Sequence, residues 1–557
     1  MKVHVDGVHG AEKENVEARL SIRDYAEDGG HDADRLQQLH RRAEGEIRQA
    51  MQAYGHYAPT VRATLDDDGG GKHWRARYDV DAGPQVRLFN IELTLQGPGA
   101  GFPPLREALE RVPLKRGEPL RHGDYETAKM QVLRAATDAG FLDARFTEHT
   151  LAVDAEQRRA DVRLVLDTGP RYFFGEVTVT QDRLDPVFLA RYVPIRPGDP
   201  FNPQKLLQTQ FALGDLGYFG TVDIQARRDA VVDQRVPIDI RLTPRPRHRY
   251  DVGLGYGTDT GPRVSAGTEF RNLNRHGHRL RLDTRVSEVK KTAGAEYRVP
   301  LGTRAGEYVG LAGAYTDERI GDGRSRHVDF GPSLSRSPGE WQRRHYLTYL
   351  YEESFLPATG NNDVGLLMPG SALSRDQVDG SIHARKGWYL FSDVHGAYRG
   401  ALSDVSFVEG HALLRGAYPL GLRTRLFARA EFGAVRTEDF AQLPPSQRFF
   451  AGGDQSVRGY GYQSLGPRDP VSGKIVGGRY LTVYSVEAEY RVWGNWGVAA
   501  FFDAGNASDD RSPSLYRGIG PGIRYAAPIG TLSIDLAHPL DGDSGGIRPH
   551  LGLRIGL

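Results

Sequence analysis

The C-terminal half of the chain alternates between apolar and charged residues with the period of two that is typical of β-strands. The alternation is clearest in residues 279–286, 425–434 and 482–492. In the last segment, charged residues oppose apolar ones as follows: Glu487, Glu489 and Arg491 against Tyr484, Val486, Ala488, Tyr490 and Val492. Apolar-out and charged-in positions fit a membrane barrel with a wet lumen and do not fit a sandwich core. A soluble sheet with solvent-facing charges remains an alternative.

Turn signals after residue 250 predict eleven strands, one long segment, and five further strands. The predicted strands begin near residues 250, 263, 278, 292, 307, 326, 341, 374, 388, 404, 423, 480, 496, 516, 530 and 548. The weakest signal lies in 355–387. We therefore predict that 250–557 is an all-β transmembrane barrel of about 16 antiparallel strands. A long inward loop, 437–479, would interrupt it.

Three repeats of one α+β pattern precede this region. Each repeat has a helical stretch, a Gly beside an aromatic residue, and two strands that lead to a Pro. The glycines are Gly55, Gly140 and Gly217, and the residue before each Pro follows 28, 29 and 28 positions later. We expect each Gly to end the second helix of a βααββ module in a left-handed cap. The predicted modules are 1–88, 89–175 and 176–249.

Composition removes several classes of protein from consideration. The chain has 39% hydrophobic residues and a mean hydropathy of -0.50, and no apolar run is long enough for a transmembrane helix. Lys and Arg number 72 against 71 Asp and Glu, which argues against a nucleic-acid partner. There is no Cys, so disulfides and thiolate metal sites are excluded. The 18 His show no metal-ligand spacing, and no cofactor fingerprint occurs, so we expect no metal and no cofactor.

One segment imitates an active site. Residues 542–546 read GDSGG, the nucleophile motif of chymotrypsin-like proteases. Ser544 would need a His as base and an Asp to orient it, and His538 lies only six residues upstream. We predict that GDSGG is the turn between the last two strands and that the protein is not an enzyme. A serine hydrolase is the competing hypothesis.

The long loop contains FFAGGDQSVRGYGYQSLGPRD, in which four glycines surround a single arginine, Arg458. These glycines, which predict tight turns, are Gly452, Gly453, Gly459 and Gly461. A long ordered loop usually has a function. Inside a barrel, Arg458 would need carboxylate partners, because an unpaired buried cation is costly. Asp503 and Glu489 have the inward parity that such partners require. An exposed loop with a flexible Arg is the alternative.

These motifs resemble those of the BamA/TamA outer-membrane assembly superfamily. The resemblance rests on VRGY in the loop (Val457, Arg458, Gly459 and Tyr460), on FxDxG (Phe501, Asp503 and Gly505), and on modules similar to POTRA domains. Three modules resemble the TamA type, the outer-membrane subunit of the translocation and assembly module. The resemblance implies that Arg458 contacts Asp503 and Phe501, with Glu489 as a looser match.

The first and last predicted barrel strands, DVGLGYGTD and HLGLRIGL, are both rich in Gly. Glycine weakens a strand and supplies no cross-strand pair, so the joint between them should be the weakest in the barrel. Its residues are Val252, Leu254, Tyr256, Leu551, Leu553 and Ile555. An opened seam would leave backbone unsatisfied in the membrane, and a client strand could pair with it by β-augmentation.

The resemblance also implies location and partners. The barrel would lie in the bilayer of the outer membrane of a Gram-negative bacterium, with the modules in the periplasm. Its clients would be autotransporters and other outer-membrane proteins, and a TamB-type, inner-membrane-anchored partner would dock on the modules. The closest competing function is a two-partner secretion pore that translocates an unfolded protein, although such pores usually carry two modules. A passive porin would have none.

Overall fold

The computed structural model describes residues 2–27, 29, 32–67, 74–302, 304–357, 360–379, 382–400, 402–542 and 546–554. Two compact units are present. The first comprises Met1–Thr180, Pro194–Gln210 and Asp223–Arg241, and the second comprises Gln181–Val193, Phe211–Val222 and Leu242–Leu557. Among the described residues, no helix combines the length and the apolar character needed to cross a membrane.

Three small α+β modules precede the large sheet. The first contains β1 (Lys2–Asp6), α1 (Gly10–Arg19), α2 (Ser21–Glu27), α3 (Ala33–Gln52), β2 (Thr60–Asp67) and β3 (Trp74–Asp81). The second contains β4 (Arg87–Gln96), α4 (Pro103–Glu110), α5 (His122–Asp138), β5 (Arg145–Asp154) and β6 (Arg159–Asp167). The third contains β7 (Phe173–Thr180), α6 (Pro186–Ala190), α7 (Pro203–Asp215), β8 (Phe219–Ala226), a 3-10 turn (Arg228–Ala230) and β9 (Arg235–Pro244).

The modules share one sheet topology, in which the last strand lies between the other two: β1-β3-β2, β4-β6-β5 and β7-β9-β8. The first strand of each module runs parallel to the last. The first module departs from the predicted pattern because it has three helices. Leu20 is fully buried and takes an extended conformation, and this breaks the first helical stretch into α1 and α2.

The predicted module boundaries lie a few residues too late. Residues 88 and 175 fall inside β4 and β7, because each of these strands starts shortly after the Gly-Pro turn that closes the preceding module. The large sheet likewise begins at His248 rather than at 250. The third predicted module, 176–249, is divided between the two compact units.

The repeated glycines occupy the left-handed region at the ends of their helices. Gly55, Gly140 and Gly217 have φ of 83°, 96° and 71°. The carbonyl oxygens of Gly55 and Gly140 accept hydrogen bonds from Val86 (2.9 Å) and Tyr172 (2.7 Å), which follow the Gly-Pro turns. These bonds explain the constant spacing, because they join the helix end to the chain that leaves the module.

The remaining strands form one antiparallel sheet of 16 strands, which agrees with the predicted barrel. The strands are β10 (His248–Gly257), β11 (Gly261–Phe270), β12 (Arg279–Ser287), β13 (Lys290–Pro300), β14 (Tyr308–Ile320), β15 (Gly323–Arg336), β16 (Trp341–Leu356), β17 (Gly360–Val378), β18 (Gly387–Ala397), β19 (Phe407–Leu420), β20 (Thr424–Thr437), β21 (Tyr480–Trp493), β22 (Trp496–Ser508), β23 (Tyr516–Ala527), β24 (Gly530–Pro539) and β25 (Arg548–Arg554). The predicted start near 374 was wrong, because β17 begins at Gly360.

The two faces of this sheet have the polarity of a membrane barrel rather than of a soluble sheet. On β21, Tyr484 and Val486 are 42% and 53% exposed, whereas Glu487 and Glu489 are only 6% and 7% exposed. The charged residues therefore face inward and the apolar residues face outward, as the alternation predicts. The alternative of a soluble sheet with outward charges was wrong.

Candidate functional site

The segment between β20 and β21, residues 438–479, packs against the inner face of the sheet. We call it the long loop. Its side chains Leu443, Val457 and Tyr460 are 0%, 0% and 4% exposed. They form one apolar cluster with strand residues that include Leu366 and Val483. Burial of each Val or Leu side chain stabilises the packed loop by about 1.5–3 kcal/mol. The exposed-loop alternative therefore does not describe this segment.

Glycines shape the loop around Arg458, as predicted for three of the four. Gly452, Gly453 and Gly459 have φ of 102°, 103° and 96°, whereas Gly461 is not in the left-handed region. A Cβ atom on Gly452 would lie 2.5 Å from the carbonyl oxygen of Gly461. The backbone therefore approaches itself too closely for a side chain at that turn.

Arg458 is 8% exposed and is surrounded by three carboxylates. Its Nε and Nη2 donate to Asp503 Oδ2 (2.8 Å) and Oδ1 (3.0 Å), which is the bidentate geometry that suits a guanidinium. Its Nη1 donates to Glu487 Oε2 (2.8 Å) and Asp535 Oδ2 (2.9 Å). Its guanidinium carbon lies 3.5 Å from the ring centroid of Phe501, a cation–π contact. The guanidinium is thus both hydrogen-bonded to the barrel wall and stacked on it.

Glu489, predicted as a partner of Arg458, is not one. Within the described residues no ion pair joins these two side chains, and the β21 carboxylate that contacts Arg458 is Glu487 instead. The two carboxylates lie on the same face of β21, two residues and roughly 7 Å apart along the strand. Glu489 contacts Arg425 (2.6 Å), Arg524 (3.3 Å) and Arg554.

The carboxylates and guanidiniums form one balanced network. Arg524 donates to both Glu487 (2.8 Å) and Asp535 (2.6 Å), and Arg554 of β25 also contacts Glu487 (3.1 Å). The members are Arg425, Arg458, Arg524, Arg554, Glu487, Glu489, Asp503 and Asp535. Buried charges are tolerated when such pairing compensates their loss of hydration. Asp535 was not among the predicted partners of Arg458, although it alternates with the outward Ile534 and Leu536 as the predicted partners alternate with their neighbours.

The other motif residues hold the loop in place. A Cβ on Gly505 would lie 3.0 Å from Val457 Cγ2 and 2.8 Å from the Thr482 carbonyl oxygen, so Gly505 provides the space in which Val457 is seated. The Tyr460 hydroxyl lies 3.1 Å and 2.9 Å from the carbonyl oxygens of Arg517 and Asp541. The VRGY segment therefore packs against the barrel strands that follow the long loop in the sequence.

The predicted seam residues lie on the outer face. Val252, Leu254 and Tyr256 are 78%, 82% and 57% exposed. Leu551 and Leu553 are 38% and 40% exposed, and Ile555 lies outside the described residues. Neighbouring strands elsewhere in the sheet share from 7 to 16 register pairs. Across the described residues, no such pairing joins β10 to β25, the two end strands of the sheet.

The predicted turn at GDSGG lies between β24 and β25, but residues 543–545, including Ser544, are outside the described residues.

In the part of the chain that the structure describes, one group of side chains has the spacing of metal ligands: Asp259, Asp454 and His550 each offer an atom within 4.8 Å of the others. Gly459 N donates to His550 Nε2 (3.0 Å), so His550 Nδ1 carries the proton and donates to Asp454. A proton thus occupies the nitrogen that a cation would need.

Electrostatics distinguish the two carboxylates of this group. Burial, followed by the charge of Asp454, raises the pKa of Asp259 to about 6. Burial opposes ionisation of Asp454 too, but the hydrogen bond from His550 and those from the β10–β11 turn lower the pKa of Asp454 below its ordinary value. Asp454 is therefore the carboxylate that stays ionised and accepts hydrogen bonds.

Comparison with known proteins agrees with this geometry. Residues 341–557 match the Omp85 superfamily domain, residues 2–82 match POTRA domain TamA domain 1, and residues 172–245 match a POTRA model described as a surface antigen variable number repeat. The chain belongs to the Omp85 superfamily of BamA- and TamA-like outer-membrane proteins. It resides in the outer membrane of a Gram-negative bacterium.

Two curated relatives carry the description "Outer membrane protein assembly factor BamA". The protein of Nitratidesulfovibrio vulgaris (strain Hildenborough) is 25% identical over 427 residues, covering 72% of this chain and 53% of the relative. That of Neisseria meningitidis serogroup B is 23% identical over 455 residues, covering 70% and 56%. The chain thus spans about half the length of these relatives. The solved structure of BamA from Haemophilus ducreyi lacking POTRA domains 1–3 has a TM-score of 0.66 at 16% identity, and covers 84% of this chain and 99% of that one.

Proposed function

We propose that this protein inserts client β-barrel proteins, autotransporters among them, into the outer membrane through the seam between β10 and β25, with no chemical step. One observation supports this function. Among the residues that the structure describes, each strand of the sheet is hydrogen-bonded to the next, but no backbone pairing joins the end strands β10 and β25. Unsatisfied backbone groups are expensive in a bilayer. A client strand that adds to either edge would satisfy them by β-augmentation.

The apolar exposure of β10, on one side of the seam, fits the same role. Leu254 at 82% and Val252 at 78% are more exposed than Leu311 at 57%, an outward residue on a strand with two neighbours, whereas Leu551 and Leu553 of β25 are 38% and 40% exposed. A client strand with outward apolar residues would cover this surface and extend the sheet in its own register. The network around Arg458 meanwhile fixes the barrel wall on the β25 side of the seam, because Arg554 belongs to it.

A photo-crosslinking amino acid at position 254 or 553 tests the proposal during client insertion. We expect crosslinks to the client at both positions and none from position 311, which is a matched control because β14 has paired neighbours on both sides. Equal crosslinking at all three positions would contradict insertion at the seam. Crosslinks from inward Arg415 instead would support the secretion pore, in which an unfolded chain passes through the lumen.

We further propose that a TamB-type partner docks on the N-terminal modules. The match of residues 2–82 to a TamA-type POTRA model supports this choice. Among the described residues, the first module also has two edge strands, β1 and β2, whose ladder pairing is with the central strand β3. Co-purification of the full chain with an inner-membrane-anchored protein of this type tests the proposal. Loss of the complex after Pro substitution on β2, but not on a barrel loop, would locate the docking edge.

A further inference from the structure

Asp454 of the long loop contacts both the turn that follows the first strand of the sheet, β10, and the last strand, β25. Its carboxylate accepts a hydrogen bond from Thr258 Oγ1 (3.1 Å), in the turn that follows β10, and another from His550 Nδ1 of β25. Its backbone N donates to Asp259 Oδ2 (2.6 Å) in the same turn. A single loop residue is therefore bonded to the first hairpin and to the last strand.

Two further hydrogen bonds complete the connection. Leu551 N of β25 lies 3.4 Å from Thr258 Oγ1 and donates to it, so Thr258 receives one bond from the last strand and passes one to Asp454. His550 is 3% exposed, and its Nε2 accepts from Gly459 N, within the VRGY motif. The hydrogen bonds form a continuous chain. Leu551 of β25 donates to Thr258, Thr258 donates to Asp454, and His550 of β25 also donates to Asp454.

The two sets of loop contacts differ in their access to water. Asp503, which holds Arg458, has a side chain only 1% exposed, whereas the side chain of Asp454 is 21% exposed. Water can replace hydrogen bonds to Asp454 as they break, and it cannot do so at Asp503. The Asp454 contacts are therefore the ones that can be released while the loop stays anchored.

We propose that Asp454 is a releasable clasp across the seam, which takes the place of the missing backbone pairing beside the β10–β11 turn. In the closed state it ties this turn to β25, and its release lets the strands separate while Arg458 keeps the loop in the barrel. This inference rests on the proposed insertion at the seam, for which it supplies the control point.

The test measures the seam without any client. The chain has no Cys, so spin labels on cysteines introduced by Val252→Cys and Leu553→Cys would report a single distance in the full chain in lipid nanodiscs. We expect Asp454→Ala to raise the ratio of open to closed molecules about tenfold, the effect of losing one charge-assisted hydrogen bond. Thr258→Val, which keeps the side-chain shape, should act in the same direction. The double variant should open little more than Asp454→Ala, because both changes cut one hydrogen-bonded chain.

Asp469→Asn is the matched control, since the carboxylate of Asp469 lies in the same loop and accepts from Val471 and Ser472 of its own turn. It should leave the distance unchanged. An unchanged distance in Asp454→Ala and Thr258→Val, in barrels that retain heat-modifiable gel migration, would overturn the clasp. The two proposals can fail separately. If Asp454→Ala widens the seam, but a protein whose seam is closed by a disulfide still inserts clients undiminished, the clasp is supported and the proposed function is contradicted.

Discussion

Replacement of Arg458 by Ala should release the long loop from the barrel wall. In this variant Glu487 and Asp535 keep Arg524 as a partner, so Asp503 is the buried carboxylate that loses its cation. Among the described residues, Asp503 would retain hydrogen bonds from the Ser485 hydroxyl (2.6 Å) and from the backbone N of residue 458. Removal of one partner from a buried ion pair costs about 3–5 kcal/mol. This corresponds to an increase of about 150- to 4,000-fold in the undocked fraction of the loop.

Hydrogen exchange of loop amides 449–465 in the full chain measures this fraction. Arg468→Ala is the control, because Arg468 lies in the same loop and its Nη1 donates to Gly473 within that loop (3.0 Å). Equal exchange in the Arg458→Ala variant and the unaltered chain would refute the reasoning. The exchanged pair Arg458→Asp with Asp503→Arg should not restore protection, because the carboxylate introduced at position 458 would then face Glu487 and Asp535.

Two pairs of variants test other parts of the structure. Glu487→Gln should raise hydrogen exchange in the long loop, since Glu487 contacts Arg458. Glu489→Gln should instead raise hydrogen exchange mainly in residues 548–554, because Glu489 contacts Arg554 there. The reverse pattern would contradict the assignment of Glu487 to the loop and of Glu489 to β25. Gly55→Ala should destabilise the first two modules by more than about 1 kcal/mol, because φ is 83° and a Cβ would lie 2.6 Å from the Leu120 carbonyl oxygen. Gly45→Ala, at an open position inside α3, should instead stabilise the first module by about 0.5–1 kcal/mol. Urea unfolding, followed by the hydrogen exchange of the α3 amides, distinguishes the Gly55 variant from the Gly45 variant.

The periodicity of the sequence was sufficient to predict the number of strands, the loop limits and the inward parity of Asp503, whereas the contact of Asp503 with Arg458 was implied by the family resemblance. Alternation is informative because a transmembrane strand must face lipid on one side and a polar lumen on the other. The spacing of Gly55 and its equivalents was equally informative, because helix caps and module exits are joined by backbone hydrogen bonds.

The expectation of a polar inner face explains why the start of β17 was predicted wrongly. The first half of β17 has apolar residues on its inner face: Val364, Leu366 and Met368 are 2%, 0% and 5% exposed and pack in the same cluster as Leu443 of the loop. The lumen is apolar wherever the loop fills it, so the expected charged face is missing and the strand start was not recognised.

Pairing within the lumen could not be predicted in detail either. Glu487 and Glu489 have the same parity, and only the depth at which Arg458 enters decides between them. That depth depends on the fold of the loop, which positions Gly459 against Pro539 and Tyr460 against Asp541. Contacts between residues so distant in sequence have no local signature.

The most direct test of insertion at the seam is client insertion by one protein before and after its seam is locked. Cysteines at 254 and 553, oxidised to a disulfide, would close the seam, and reduction would reopen it in the same sample. A pair at 282 and 295, which are register partners on β12 and β13, serves as the locked control. We predict that insertion stops in the oxidised seam variant, returns on reduction, and proceeds throughout in the control. Undiminished insertion by the oxidised seam variant would contradict the account.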